Sequence, residues 1–75
     1  MSAAHRLGGV RVTANGKPYE VEAGTTVEQF IRERGLDPRL VIVERNGEAM
    51  ERRRYTDTEL SDGDRLELVR AVAGG

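Results

Sequence analysis

The sequence predicts an α+β domain in which one helix packs across a mixed sheet of four to five strands. Two observations support this fold class. Asn-Gly dipeptides, which favour tight hairpin turns, follow strand-like apolar runs at two places. Between them lies one segment with apolar residues at helical spacing, bounded by start and stop signals. The chain has 75 residues, which is enough for one hydrophobic core and too few for two.

The first hairpin is predicted from period-2 patterning. Val10 and Val12 alternate with polar residues, and so do Tyr19 and Val21 after the turn Asn15-Gly16. Residues 1–9 precede this pattern and are predicted to form a disordered extension. They contain His5, the single histidine, which can therefore support neither a catalytic base nor a metal site.

One helix is predicted from about Thr26 to Arg34. Thr25 and Glu28 have the spacing of a capping box, in which each side chain satisfies a backbone amide at the helix start. Gly35, Leu36 and Pro38 favour its termination. Four residues at i, i+3, i+4 and i+7 form a stripe that is expected to face the sheet: Val27, Phe30, Ile31 and Arg34.

The rest of the chain predicts three more strands. The continuous apolar run Leu40–Val43 favours a central strand buried on both faces, and Asn46-Gly47 then leads to a short strand near Glu48 to Met50. Tyr55 and Leu60 are expected to enter the core. After a turn at 62–64, the last strand is predicted over 65–69, with Leu66 and Leu68 on one face.

This order of elements matches the β-grasp fold, in which the first and last strands can lie parallel in the centre of the sheet. The predicted organisation is therefore an extension at 1–9, a β-grasp domain at 10–70 and a flexible tail at 71–75. The tail projects from the end of the last strand.

Composition excludes several classes of function. Twelve basic and 13 acidic residues give a formal net charge of -1, which does not favour nucleic acid, and Arg52–Arg54 is interpreted as a solvated loop. No segment has the apolar length of a membrane span or signal peptide, and no cysteine is present, so a cytoplasmic location is expected. Four carboxylates that might suggest acid-base catalysis are expected simply to solvate the surface: Glu20, Glu22, Asp62 and Asp64.

The tail offers a different chemistry. Five small, uncharged residues follow Arg70 and can reach about 17 Å when extended, enough to enter a narrow active site of another protein. The terminal carboxylate of Gly75 can attack the α-phosphorus of ATP if a partner supplies the nucleotide. The preceding residues would give steric access: Val72, Ala73 and Gly74.

Several segments resemble the ThiS-type sulfur carriers of thiamine thiazole biosynthesis, a ubiquitin-like β-grasp family. The resemblance covers about Val10 to Gly75. It implies a carrier without catalytic activity, whose Gly75 is adenylated with ATP by an E1-like ThiF-type adenylyltransferase. A sulfur-donating enzyme would then form a thiocarboxylate for a ThiG-type thiazole synthase. The segments are Asn15-Gly16-Lys17, Gly24–Val27, Val43–Glu48, the pattern Tyr55-x-x-Thr58-x-Leu60-x-Asp62-Gly63-Asp64, and Val72–Gly75.

Other interpretations stay open. A small subunit of a molybdopterin synthase would share the chemistry, a ubiquitin-like modifier would transfer its glycine to lysine, and a non-covalent β-grasp module would not need the tail. Ile42, Val69 and Ala71 form either a docking patch on an open sheet face or part of the core, because strand register does not follow from sequence.

Overall fold

One helix lies across one face of a five-stranded mixed sheet in the computed structural model, which describes residues 9–71. The strand order is β2-β1-β5-β3-β4, and β1 runs parallel to β5. The predicted fold class and the parallel pairing of first and last strands are confirmed. His5 and the residues Val72, Ala73, Gly74 and Gly75 lie outside the described part. The elements are β1 (Gly9–Ala14), β2 (Lys17–Glu22), α1 (Val27–Glu33), β3 (Val41–Arg45), β4 (Glu48–Ala49) and β5 (Arg65–Arg70), with single 3₁₀ turns at Pro38–Leu40 and Arg52–Arg54.

Both predicted hairpins are present. Asn15 and Gly16 have φ of 52° and 83°, and Asn46 and Gly47 have φ of 53° and 89°. Positive φ at both central positions is characteristic of a type I′ turn, whose twist matches that of the flanking strands. Strand β1 begins at Gly9, one residue earlier than expected.

The helix start differs from the prediction by one residue. The Thr26 hydroxyl accepts a hydrogen bond from the Gln29 amide at 3.1 Å, and Gln29 Oε1 accepts one from the Thr26 amide at 2.9 Å. The predicted box of Thr25 and Glu28 is therefore wrong. The Thr25 hydroxyl instead donates to the Glu22 carbonyl at 2.7 Å. Two adjacent threonines each precede a suitable partner by three residues, so spacing alone does not distinguish them.

The helix end agrees with the prediction. Gly35 has a φ of 79° and its amide donates to the Arg32 carbonyl at 2.9 Å, while the Leu36 amide donates to the Ile31 carbonyl at 3.2 Å. These two bonds form a Schellman motif, which gives hydrogen-bond donors to carbonyls in the last turn that have no partner within the helix.

The core lies between α1 and the sheet. The predicted stripe contributes Val27, Phe30 and Ile31, each fully buried, and Tyr55 and Leu60 enter the core as expected. The Tyr55 hydroxyl donates to the Val41 carbonyl at 2.9 Å and accepts from the Val43 amide at 3.1 Å, so its polar end is satisfied. The buried apolar residues are Val12, Ala14, Val27, Phe30, Ile31, Val41, Val43, Tyr55, Leu60 and Leu66.

Strand β3 is not buried on both faces, contrary to the prediction from its continuous apolar run. Val41 and Val43 are buried, but Ile42 between them is 45% exposed, and Leu40 before the strand is 50% exposed. The reason is that α1 covers one face of the sheet, and no other described element covers the opposite face. The central position belongs to β5, and β3 lies beside it.

Asp64 also differs from expectation, since it is 5% exposed and does not solvate the surface. Its carboxylate accepts hydrogen bonds from Arg45 Nε at 3.0 Å, Asn46 Nδ2 at 3.1 Å and the Ser61 amide at 2.8 Å. Three donors offset the cost of removing the charge from water. The carboxylate thereby joins the turn before β5 to the β3–β4 hairpin.

The two turn asparagines hold the central strand from opposite sides. Strand β1 pairs with β5 only as far as Leu66, and beyond it the Asn15 side chain takes the place of a strand residue. Its Oδ1 accepts from the Leu68 amide at 2.7 Å and its Nδ2 donates to the Leu68 carbonyl at 3.1 Å. On the other side, Asn46 Oδ1 accepts from the Arg65 amide at 2.8 Å.

An Asn15→Gly variant is expected to lower the free energy of unfolding by about 1–2 kcal/mol, because it removes both bonds to Leu68 while keeping the positive φ of the turn. Urea titration measures the loss, and hydrogen exchange should accelerate at the Leu68 amide. Asn15→Asp, which keeps an acceptor and loses the donor, serves as the intermediate control. Unchanged exchange at Leu68 in Asn15→Gly would show that the side chain contributes nothing to the strand.

Candidate functional site

The end of β5 is held by β3 on one side, which defines the position from which the tail departs. Arg70 is directly opposite Val41 in the β3–β5 pair. The Ala71 amide still donates to the Leu40 carbonyl at 2.7 Å. Ala71, which the sequence placed at the start of the flexible tail, is therefore attached to the sheet.

An apolar corner, defined as Leu40, Ile42, Val69 and Ala71, lies on the uncovered side of the sheet at this end. Ile42 and Val69 are directly opposite each other and are 45% and 54% exposed. Their exposure shows that they do not complete the core. The structure thus places together the three residues considered for docking, while their role stays a prediction. Leu40 was missed because its apolar run suggested a buried strand.

Most of the remaining positions on the uncovered face are charged. Residues on alternate strand positions share a face, so the positions that do not contribute to the core point away from α1. Among the described residues, the large apolar side chains that are exposed all belong to the corner beside the tail. The exposed charged positions of this face are Arg11, Glu20, Glu22, Glu44, Arg65 and Glu67.

The 3₁₀ turn that ends at Leu40 is capped by the carboxylate of Asp37. Asp37 accepts hydrogen bonds from the side chain and the backbone amide of Arg39, with Oδ1 2.9 Å from the amide nitrogen. These two bonds, the side-chain bond first, lower the pKa of Asp37 to about 2, and the same pair raises the pKa of Arg39. Because the folded pKa lies below its ordinary value, the cap stabilises the turn at pH above about 4 and is lost as the pH falls towards 2.

From Gly9 to Ala71 no group of acidic side chains is arranged to hold a metal ion, and every buried side-chain polar atom has a partner. In the same range no helix is long and apolar enough to cross a membrane.

Arg52–Arg54 is exposed, with Arg53 paired to Glu51 and Arg54 paired to Asp57. A solvated loop accounts for this cluster.

Comparison with known proteins identifies the relatives of this chain. The model of the ThiS family matches residues 12–75. The chain is 39% identical over 62 residues to the sulfur carrier protein ThiS of Bacillus subtilis, covering 81% of this chain and 94% of that protein. It is 38% identical over 66 residues to a thiazole synthase of Paramagnetospirillum magneticum, covering 88% of this chain. The chain spans only 20% of the length of that synthase.

Solved structures agree with these relatives. The crystal structure of the thiamine biosynthesis protein ThiS from Geobacter metallireducens is 32% identical, with a TM-score of 0.71, and covers 88% of this chain and 100% of that one. A ubiquitin from Caldiarchaeum subterraneum is 22% identical, with a TM-score of 0.55, over 91% of this chain and 98% of the other. At this identity the second likeness concerns the ubiquitin-like fold alone.

Proposed function

The chain belongs to the ThiS family, and we propose on this basis that it is a sulfur carrier whose Gly75 bears the transferred sulfur as a thiocarboxylate. The observation that carries the proposal is the family match itself, which runs to residue 75 and so includes the diglycine end. The hydrogen bond from the Ala71 amide to the Leu40 carbonyl supports it, because this bond fixes the point on the domain after which residues 72–75 follow. We propose that partner proteins recognise the domain at 10–70 and that the residues after it enter their active sites.

The proposed chemistry takes place in two steps. A carboxylate oxygen of Gly75 attacks the α-phosphorus of ATP, pyrophosphate leaves, and an acyl adenylate forms. Hydrosulfide supplied by the sulfur-donating enzyme then attacks the acyl carbon and AMP leaves, so that one oxygen of the carboxylate is replaced by sulfur and a thiocarboxylate forms. Gly74, Ala73 and Val72 are proposed to give access, because small side chains leave the acyl carbon open to attack.

Partner proteins supply the catalytic groups in this proposal. A ThiG-type thiazole synthase is supported as the sulfur acceptor by the similarity of this chain to part of a thiazole synthase. An E1-like ThiF-type adenylyltransferase and a sulfur-donating enzyme follow from the resemblance to the family. We place the reaction in the cytoplasm, where ATP is available.

Intact-mass spectrometry tests the proposal. The purified chain is incubated with ATP, the adenylyltransferase and a sulfur source, and the expected product carries sulfur in place of one oxygen at Gly75. Omission of ATP should prevent the change. An unchanged mass in the complete mixture would refute the carrier function. Isopeptide-linked conjugates would indicate a protein modifier, and sulfur transfer only to a molybdopterin synthase would assign the chain to that pathway.

The apolar corner is proposed as the docking surface for these partners. An Ile42→Thr/Val69→Thr variant keeps β-branched side chains in the strands while removing exposed apolar area, so the fold should persist. We expect the KM for the carrier in the adenylation assay to rise about tenfold, as for a moderate interface hot spot. Glu22→Thr, on the same face but far from the corner, is the control. Equal KM values for all three proteins would exclude docking at the corner.

A further inference from the structure

Three cations that are far apart in the sequence meet in one groove beside the end of β5. Lys17 comes from β2, Arg34 from the end of α1 and Arg70 from the last position of β5, and they line a groove of about 390 Å³. Tyr19 and Leu36 are among its apolar residues, and none of the lining residues between 9 and 71 is acidic. The groove is on the helix side of the sheet, opposite the face that carries the apolar corner.

These charges lack the compensation found elsewhere in the protein. Between residues 9 and 71, five arginines form ion pairs with carboxylates, among them Arg45 with Asp64 and Arg39 with Asp37. No such ion pair involves Lys17 or Arg70 in this part of the chain. The Arg34 guanidinium lies 4.4 Å above the Tyr19 ring, which holds it at the groove without neutralising it. A chain of net charge -1 thus concentrates uncompensated positive charge at one place.

We propose that this groove binds an acidic segment, rich in aspartate or glutamate, on the enzyme that receives the C-terminal residues. This inference rests on the proposed function. Arg70 is five positions before Gly75, so a protein that holds Gly75 stands within about 17 Å of Arg70. Opposite charge on that protein would raise the association rate and help to orient the carrier.

A protein segment fits the groove better than a free anion. The three side chains are exposed, so a small anion would be held only by solvated, flexible groups. An acidic segment on the enzyme that already holds the tail would instead bind at a high effective concentration. The N-terminal residues of this chain do not complement the groove, because residues 1–8 contain Arg6 and no acidic residue.

Charge reversal with a matched control provides the test. Lys17→Glu/Arg70→Glu reverses two groove charges, and Arg52→Glu/Arg53→Glu reverses two charges elsewhere, so the net charge changes equally. We expect the groove variant to bind the purified ThiF-type adenylyltransferase about tenfold more weakly at low salt, with the difference lost at high salt. The control should stay within about twofold of the original chain. Equal weakening of both variants, or of neither, would overturn the proposal.

A second measurement distinguishes an acidic segment from a small anion as the ligand of the groove. A capped hexaglutamate peptide is titrated into the isotope-labelled chain, and backbone amide shifts are expected at Lys17, Arg34 and Leu68 in the original chain but not in the groove variant. Inorganic phosphate is titrated in parallel. Phosphate binding tighter than the peptide would overturn the proposal in favour of a small anion. These binding assays need no sulfur transfer, so they stay interpretable if the mass test of the carrier function fails.

Discussion

A Phe30→Ala variant is expected to lose about 3–5 kcal/mol of unfolding free energy, and the protein should be largely unfolded at 37 °C. Phe30 is completely buried at the centre of the stripe that α1 presents to the sheet, and its ring packs edge-on against Tyr19 with 5.4 Å between ring centroids. Removing it leaves a cavity in a small core that has no second layer to compensate. Circular dichroism during thermal unfolding measures the effect.

Two variants provide the comparison. Phe30→Leu keeps most of the apolar volume and should cost clearly less, whereas Val69→Ala removes a side chain that is 54% exposed and should change stability by at most about 0.5 kcal/mol. If Phe30→Ala stayed folded with a loss below about 1 kcal/mol, the packing assigned to Phe30 would be incorrect.

Deletion of Gly75 is expected to abolish sulfur loading, since the new terminal residue would be one position short of the reacting centre. The loss should be complete within detection, because a peptide shortened by one residue cannot reach the same atom while the domain is held in the same place. The fold should be unaffected, since the described core ends with β5. Intact-mass spectrometry after incubation with ATP, the adenylyltransferase and a sulfur source measures loading.

The Gly75→Ala variant distinguishes the effect of chain length from the effect of steric access to the terminal carboxylate. This variant retains a carboxylate at the right distance but adds a methyl group beside it, so slower loading is expected. Ala73→Gly, which only removes a methyl group, should load at an unchanged rate. Normal loading of the shortened chain would mean that Gly75 is not the acceptor, and the carrier proposal would then fail even if the chain folds.

The features that sequence predicted well are those decided by neighbouring residues. Local backbone and side-chain preferences determine the positive φ at Asn15-Gly16, the helical spacing that buries Phe30 and Ile31, and the helix end at Gly35. The helix start was predicted less well, because Thr25 and Thr26 both have the spacing of a capping residue.

Features decided by distant residues were missed or wrong. Whether Ile42 is buried depends on how many layers cover the sheet, which its own apolar run does not reveal. Asp64 is buried because Arg45 and Asn46 converge on it across the fold. The cationic groove had no sequence signal, since Lys17 and Arg70 line the same groove only because β1 pairs with both β2 and β5. A pattern search restricted to consecutive charges finds Arg52–Arg54 instead.

The Asn15–Leu68 contact also has a consequence for folding kinetics. It joins residues separated by 53 positions, so its formation carries a large loop-closure entropy and we expect it to form late in folding. An interaction absent from the transition state contributes to the unfolding barrier and leaves the folding rate nearly unchanged. The turn asparagine would therefore determine mainly how long the strand that carries the tail stays in place once the protein has folded.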